Sequence, residues 1–398
     1  MRTAAPTNTP YQNLQGIMVP ASSVNPEFFF RLTRRLMFTV KNSVYSGLGS
    51  TDVFSLLQVG IYSAISIKLT GTVVVALPTG TAATTFAWPY GLIRNCRITA
   101  NGQSNLINVP GWALKARDLM ARGDLTDRGV PKAVGGASPG TTTFQGTMGM
   151  NTENWGLGQN VTAIPAATYN YNLNFFVPLA FDQVYLQGAI FAQTSATDLA
   201  IQLDWANATD LFTLTGTATA VVTCTVQIMP VAFSIPQAPD GNIVVPDLSV
   251  FHSLIAVRVA SVVIGDNEVR LVGQGVGRQL LRIYWRVLNG AVPAPVPMNG
   301  TNFGQQLWRF GTNDTPEIFI DGSHLANMNE RWFDADLATL QGIGCFDFAG
   351  DYAFRDSVDE GAATELRFLT NVTAAVTLAG SPAIEYVQES IFAGAAAA

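Results

Sequence analysis

Apolar and polar residues alternate along most of this chain with the two-residue period of a half-buried strand. Ile61-Tyr-Ser-Ala-Ile-Ser-Ile-Lys-Leu69 alternates strictly at its end; Thr72-Val-Val-Val-Ala-Leu77 and a Pro78-Thr-Gly80 turn follow. Leu92-Ile-Arg-Asn-Cys-Arg-Ile-Thr99 leads into Asn101-Gly102, a strong hairpin signal because both residues tolerate positive φ. Strands are predicted again at Tyr169–Phe175, at Phe176-Val-Pro-Leu-Ala-Phe181, at Leu199–Trp205 and at Val221–Ile228. A second β-rich run covers Leu254–Ile264, Arg270–Val272, Leu280–Val287, Gly342–Phe354, Thr364–Val372 and Ala383–Val387.

Helical spacing is confined to short stretches. Trp112 to Met120 places Trp112, Leu114, Ala116, Leu119 and Met120 among Lys115, Arg117 and Asp118, and Gly123 stops it. Asn25-Pro-Glu27 suits a helix start, with Phe28, Phe29, Phe30, Leu32, Leu36 and Met37 as its apolar surface. Arg31, Arg34 and Arg35 would then share one face. The alternation Leu36, Phe38, Val40 suits a strand equally well.

The best boundary is Ser234-Ile-Pro-Gln-Ala-Pro-Asp-Gly241, which combines two prolines with an Asp-Gly turn. Residues 129–168 read as a long Gly-, Thr-, Asn- and Pro-rich loop, and the prolines at 293, 295 and 297 open another. The pattern therefore predicts an all-β chain of two sandwiches or eight-stranded jelly rolls in tandem, with a few short helices. We divide it into an N-terminal arm (1–25), a first jelly roll (26–235), a second (236–391) and a flexible tail (392–398).

Composition narrows the function. Charged residues are 13% of the chain against about a quarter in ordinary soluble domains, while apolar residues are 48% and mean hydropathy is +0.24. A surface so poor in charge suits large neutral interfaces. A net charge of −6 argues against direct nucleic-acid binding, which needs a basic stripe. Cys96, Cys224 and Cys345 are odd in number and widely spaced, as expected of buried thiols in a reducing compartment. No secretory leader is expected from Met1-Arg-Thr-Ala-Ala-Pro, and no apolar window is long enough to span a bilayer.

Candidate chemistry is sparse, and no catalytic, cofactor or metal site is expected. His252 and His324 are too far apart in sequence for a metal pair and read as capping or core-edge residues. Gly273-Gln-Gly-Val-Gly277 lacks the Lys-Ser/Thr of a phosphate loop and precedes a strand rather than a helix, so it reads as a turn. Asp347, Asp351, Asp356, Asp359 and Glu360 cluster around a Gly-containing turn; they read as solvated charge, with Ca²⁺ binding or a glycosidase pair as the alternatives. Arg31, Arg34 and Arg35 beside Phe28–Phe30 are either ordinary surface cations or contacts to anionic lipid headgroups.

The block Phe176-Val-Pro-Leu-Ala-Phe181 to Asp204-Trp-Ala-Asn207, with Gly188-Ala-Ile-Phe-Ala-Gln193 between, resembles the first barrel of tectivirus-type major capsid proteins from tailless, membrane-containing phages. Asn101-Gly102, Gly111-Trp112 and Lys115–Arg122 are similar to that family's strand, turn and helix. Gly241-Asn-Ile-Val-Val-Pro-Asp-Leu-Ser249, Gly342-Ile-Gly-Cys-Phe-Asp347, Thr364–Val372 and Glu385-Tyr386 resemble its second barrel, in the same order. The departures are the 129–168 loop, the Ala-rich end and the arm. The resemblance implies a non-enzymatic coat subunit without cofactors, with two upright barrels, forming homotrimers of pseudo-hexagonal outline. Such trimers would tile an icosahedral shell over an internal membrane, with vertex and minor capsid proteins as further partners and synthesis in the host cytoplasm. A carbohydrate-binding jelly-roll protein is the alternative from another class, and a sandwich glycosidase is a third.

Overall fold

The computed structural model describes residues 11–12, 18–19, 23–24 and 26–393, except 101–103, 123–130, 134–143, 147–153, 156–162, 195–197, 238–242, 247, 249, 272–277, 311–313, 335–336, 338–341, 350–357 and 360–365. In chain order the first half contributes α1 (Pro26–Leu32), β1 (Arg35–Met37), β2 (Lys41–Val44), β3 (Thr51–Ser55), β4 (Ile61–Ala76), β5 (Ile93–Ala100) and β6 (Ser104–Val109). It continues with α2 (Gly111–Arg122), β7 (Ala167–Pro178), β8 (Leu199–Trp205) and β9 (Thr219–Phe233). The second half contributes β10 (Val250–Ala260), β11 (Gly265–Arg270), β12 (Arg278–Asn289), β13 (Phe303–Phe310), β14 (Asp314–Phe319), α3 (Gly322–Phe333), β15 (Ile343–Asp347), β16 (Leu366–Val372) and β17 (Ala383–Ala393).

The alternation of Ile65, Ile67, Leu69, Val73 and Val75 lies on the buried face of a single strand, β4, where the sequence pattern suggests two. β4 is flanked by β9, from Ala76↔Thr219 to Ile61↔Phe233, and by β7, from Val75↔Ala167 to Ala64↔Pro178. Gly71 lets the strand run through. The Tyr171 hydroxyl donates to the Thr223 carbonyl at 2.6 Å across its face. A Cβ on Gly71 would lie 1.9 Å from that carbonyl oxygen and 2.8 Å from the hydroxyl.

This sheet has a second consequence for the 129–168 segment. Pro131–Ala133, Phe144–Gly146 and Asn154–Trp155 add three antiparallel strands outside β7, so the segment extends the sheet rather than being loop throughout. Backbone pairing along β7 can recruit even a Gly- and Thr-rich stretch that carries little hydrophobic alternation of its own.

The second large sheet crosses both halves. Its order is Ala294–Pro295, β12, β17, β10, β6, β5, β8, β3, with β15 and Val358–Asp359 also on β12. β5 and β6 form the hairpin expected at Asn101-Gly102. The halves join where β6 and β10 pair in parallel, Ile107↔Leu254 and Asn108↔Ile255. β11, β16, β13 and β14 make the facing sheet of the second barrel. Its core stacks Trp285 against Phe346 and Phe368, with ring centroids 4.6 and 5.0 Å apart. In the arm, Ser23–Val24 pairs in parallel with Val244–Val245, in the segment between the barrels. β17 runs to Ala393, two residues into the stretch read from sequence as tail; 394–398 lie outside the described residues.

Candidate functional site

Strand alternation gives β10, β12 and β17 two differently employed faces. Ile283, Trp285, Val287, Ile384 and Tyr386 fill the second barrel. Leu254, Tyr284 and Val387, with Ile343 and Cys345 on β15, turn the other way and belong to the same apolar cluster as the first barrel's core. The seam between the barrels is thus a continuous packed interior.

Helix α2 lies in that seam. Its sequence reads as amphipathic, yet Lys115, Arg117 and Asp118 are buried along with its apolar residues. The reason is packing on more than one side, against β7 and β5 of the first barrel and against α3 of the second. Lys115 lies over the Tyr90 ring at 5.5 Å, the Tyr284 hydroxyl donates to the Ala113 carbonyl at 3.2 Å, and the Arg286 guanidinium covers Trp112 at 4.1 Å.

At the centre of the seam sits a fully buried carboxylate, Glu389 on β17. It accepts from Arg117 Nε at 2.8 Å, from His252 Nε2 at 2.8 Å and from Arg282 Nη1 at 3.4 Å. Arg282 also donates from Nε and Nη2 to Asp347 Oδ1, both at 3.1 Å. His252 Nδ1 lies 3.1 Å from the Pro178 carbonyl at the end of β7. The network therefore ties α2 and β7 of the first barrel to β10, β12, β15 and β17 of the second. Burial alone would raise the Glu389 pKa, but the Arg117 and Arg282 guanidiniums and the His252 hydrogen bond outweigh it and hold the carboxyl well below its usual range. Such pairs add little net stability against an apolar alternative, but removing one partner strands a buried charge.

Farther along the seam Glu385 accepts from Arg286 Nε at 3.1 Å and Nη2 at 2.9 Å and faces Arg258 at 3.8 Å. These groups border a cleft of about 660 Å³ whose other wall includes Asn207, Asp210 and Trp112. A sugar-binding groove would present a free aromatic face. The Trp112 ring is buried and covered by Arg286, which leaves the half-buried Phe86 as the other aromatic ring lining the cleft.

The residues singled out from sequence separate in space. Arg31 ends α1, Arg34 lies outside any element and Arg35 begins β1, so the shared helical face is not formed; all three are exposed. The helix stops because β1 pairs with β9, Arg35↔Phe233 to Met37↔Val231, which imposes strand geometry. Phe29 is fully buried against Ile61, Phe191 and Val245. His324 sits in the first turn of α3, where its backbone N–H donates to the capping Asp321 at 2.8 Å, and its ring meets Phe319 at 5.4 Å. His252, by contrast, is a network member. Asp347 is a strand residue committed to Arg282 rather than a solvated loop charge. Asp359 follows Val358 in a short strand on β12, and Asp351, Asp356 and Glu360 lie outside the described residues, as does Gly273–Gly277. Among the described residues no His, Cys, Asp and Glu cluster could hold a metal ion. The three cysteines are buried and unpaired. Burial pushes the Cys96 and Cys224 thiols up to about 12 and about 11, and Cys345 well above its ordinary value. They stay protonated at neutral pH and are poor nucleophiles.

Glu389, Arg117 and Arg282 escape a reading by motif. A signal for them does exist: Glu389 occupies a core-facing position between Val387 and Ile391, and Arg282 and Arg286 interrupt the apolar run Leu280–Val287 at a spacing of four.

Two antiparallel barrels in tandem, sharing a sheet and a buried helix, define the double jelly-roll class. No protein-family model matches the chain, and no curated protein matches it. Solved structures do. The STIV MCP is 12% identical, with a TM-score of 0.63 over 90% of this chain and 97% of that one. The PBCV-1 virus capsid is 11% identical, with a TM-score of 0.56 over 92% and 97%. The Faustovirus major capsid protein is 10% identical, with a TM-score of 0.54 over 91% of each. At such identities the likeness is one of fold.

Proposed function

We propose that this chain is a major capsid protein that acts by folding, trimerising and tiling rather than by catalysis. The observation that carries the reading is the extent of the similarity: the fold matches viral coat subunits over about nine-tenths of both chains. The physical features agree. The seam locks two barrels of like architecture into one building block, so three copies supply six barrels and a near-sixfold outline under threefold symmetry. Charged residues are scarce, and apolar side chains such as Val44, Val184, Ile318 and Ile320 are at least half exposed on the isolated chain.

The trimers would tile an icosahedral shell in the virion, over an internal membrane, with vertex and minor capsid proteins completing it and synthesis in the host cytoplasm. The net charge of −6 suits a coat that does not touch nucleic acid. Exposed Arg31, Arg34 and Arg35 would meet anionic headgroups, each worth about 1 kcal/mol near the surface. Electron microscopy of the purified protein tests the reading. Hexagonal particles are expected; rounded single-chain particles at all concentrations would contradict it.

A further inference from the structure

One end of the first barrel gathers exposed apolar side chains. It is the end where β4 begins, with Ile61 opposite Phe233 at the close of β9, and where β7 stops at Pro178, opposite Ala64. Three stretches of chain meet there: α1 with β1, the 56–60 connection from β3 to β4, and the 179–189 connection that leaves β7. They display Leu32 (49% exposed), Met37 (53%), Leu57 (50%), Val184 (69%) and Tyr185 (64%). The same end holds Arg31, Arg34 and Arg35, all exposed. The carboxylates of these three stretches are Glu27, in the first turn of α1, and Asp182, which is buried. On a chain of net charge −6 this is a local excess of cations.

The turn that carries Val184 and Tyr185 is held on every side. The Phe181 N–H donates to the Gln187 carbonyl at 2.8 Å and closes its base. Asp182 accepts from the backbone N–H groups of Val184 and Tyr185 at 2.7 and 3.2 Å. Gln183 Nε2 donates to the Ser63 and Ala180 carbonyls at 3.1 and 2.9 Å. Leu186 takes a φ of 59°, a region that non-glycine residues seldom occupy, and its side chain is buried in the same cluster as Phe29. The fold thus fixes the residues on both sides of Val184 and Tyr185 and leaves those two side chains in solvent. The Tyr185 ring meets Phe30 edge-on, with centroids 6.2 Å apart, so the turn lies against α1, whose last turn carries Arg31 and Leu32.

We propose that this end of the first barrel is a lipid-contact surface: Val184, Tyr185 and Leu32 enter the headgroup boundary of an anionic bilayer while the three arginines meet its phosphates. The partner is a lipid surface because the patch combines the two properties that such a surface rewards. Apolar tips and a tyrosine gain by leaving water at the headgroup level, and neighbouring cations are drawn to the negative surface potential. One short basic patch binds a bilayer weakly by itself, and the apolar turn supplies the second attachment that makes the contact stable. This inference rests on the membrane reading of the three arginines above and adds the apolar half of the contact and the turn that presents it.

The test is flotation of the full-length protein with vesicles of phosphatidylcholine alone or of phosphatidylcholine with about one-third phosphatidylglycerol. One variant combines Val184→Ser with Tyr185→Ser, which keeps every backbone bond of the turn and changes no charge. A second combines Arg31→Gln, Arg34→Gln and Arg35→Gln. The control is Val221→Ser: Val221 is also exposed on β9, but twelve residues from Phe233, about 40 Å along the strand. Thermal unfolding and native mass, read on each variant, report whether barrels and trimer are intact. Wild type should float with the anionic vesicles far more than with the neutral ones, and each combined variant should lose at least about tenfold in partitioning, with Val221→Ser near wild type. Wild-type binding to neither vesicle, or to both alike, overturns the proposal. So does either combined variant that floats as well as Val221→Ser; if that variant has also lost its trimer, the surface is a contact between subunits. Vesicle binding by a wild-type chain that forms no trimer would sink the coat reading and leave the lipid surface standing.

Discussion

Glu389→Gln isolates the seam. The substitution keeps the shape of the side chain and one carbonyl acceptor but removes the charge that two guanidiniums share. Arg117 and Arg282 side chains are only 5% and 7% exposed, so water cannot replace the lost carboxylate. Breaking a buried pair by removing one partner costs about 3–5 kcal/mol. At about 2–4 °C per kcal/mol for barrels of this size, the melting temperature should fall by roughly 6 °C or more. Glu268→Gln is the control: its pair with Arg367, at 2.9 Å, is about one-third exposed and is worth at most about 1 kcal/mol. The pH dependence adds a second readout. Glu389 is depressed when folded, so its stabilisation is complete above the unfolded value of about 4.3 and is lost as pH falls below it, by up to about 1.4 kcal/mol per pH unit. Wild type and Glu389→Gln should therefore converge in acid and diverge toward neutrality. Differential scanning calorimetry from pH 3 to pH 8 measures both. A Glu389→Gln melt within about 2 °C of wild type at pH 7, indistinguishable from the control, would refute the view that this network governs the seam.

Other outcomes follow from the packing. Gly71→Ala drives a methyl into the Thr223 carbonyl and should cost about 1–3 kcal/mol or more, read as a lower urea midpoint at unchanged slope. The three thiols should resist an aromatic disulfide reagent in the native protein and all react after unfolding in urea; a fast-reacting native thiol would contradict their burial. Deleting residues 1–25 removes the Ser23–Val24 pairing but neither barrel core, so a folded trimer should persist with impaired membrane or shell association. Unfolding on truncation would mean that the arm belongs to the core.

Much of the barrel framework was legible because strand alternation is local. Leu199–Trp205, the Asn101-Gly102 hairpin and the Gly111–Arg122 helix all announce themselves within a few residues. The seam did not, since its partners are remote: 272 residues separate Arg117 from Glu389 and 137 separate His252 from it. The burial of Lys115, Arg117 and Asp118 on α2 was hidden too, because periodicity reports which residues are polar, not what lies opposite them. The parallel β6–β10 join was equally hidden, as it depends on how two finished barrels meet. Arg35 kept helical spacing with Arg31 in sequence but was claimed by the edge of β9, a tertiary demand that overrode the local one.

The most direct test of a coat subunit that works by self-association is the native mass of the purified wild-type chain at micromolar concentration. A species of three times the 42.5 kDa chain is the expected result. A lone 42.5 kDa species that stays monomeric as concentration rises would contradict it.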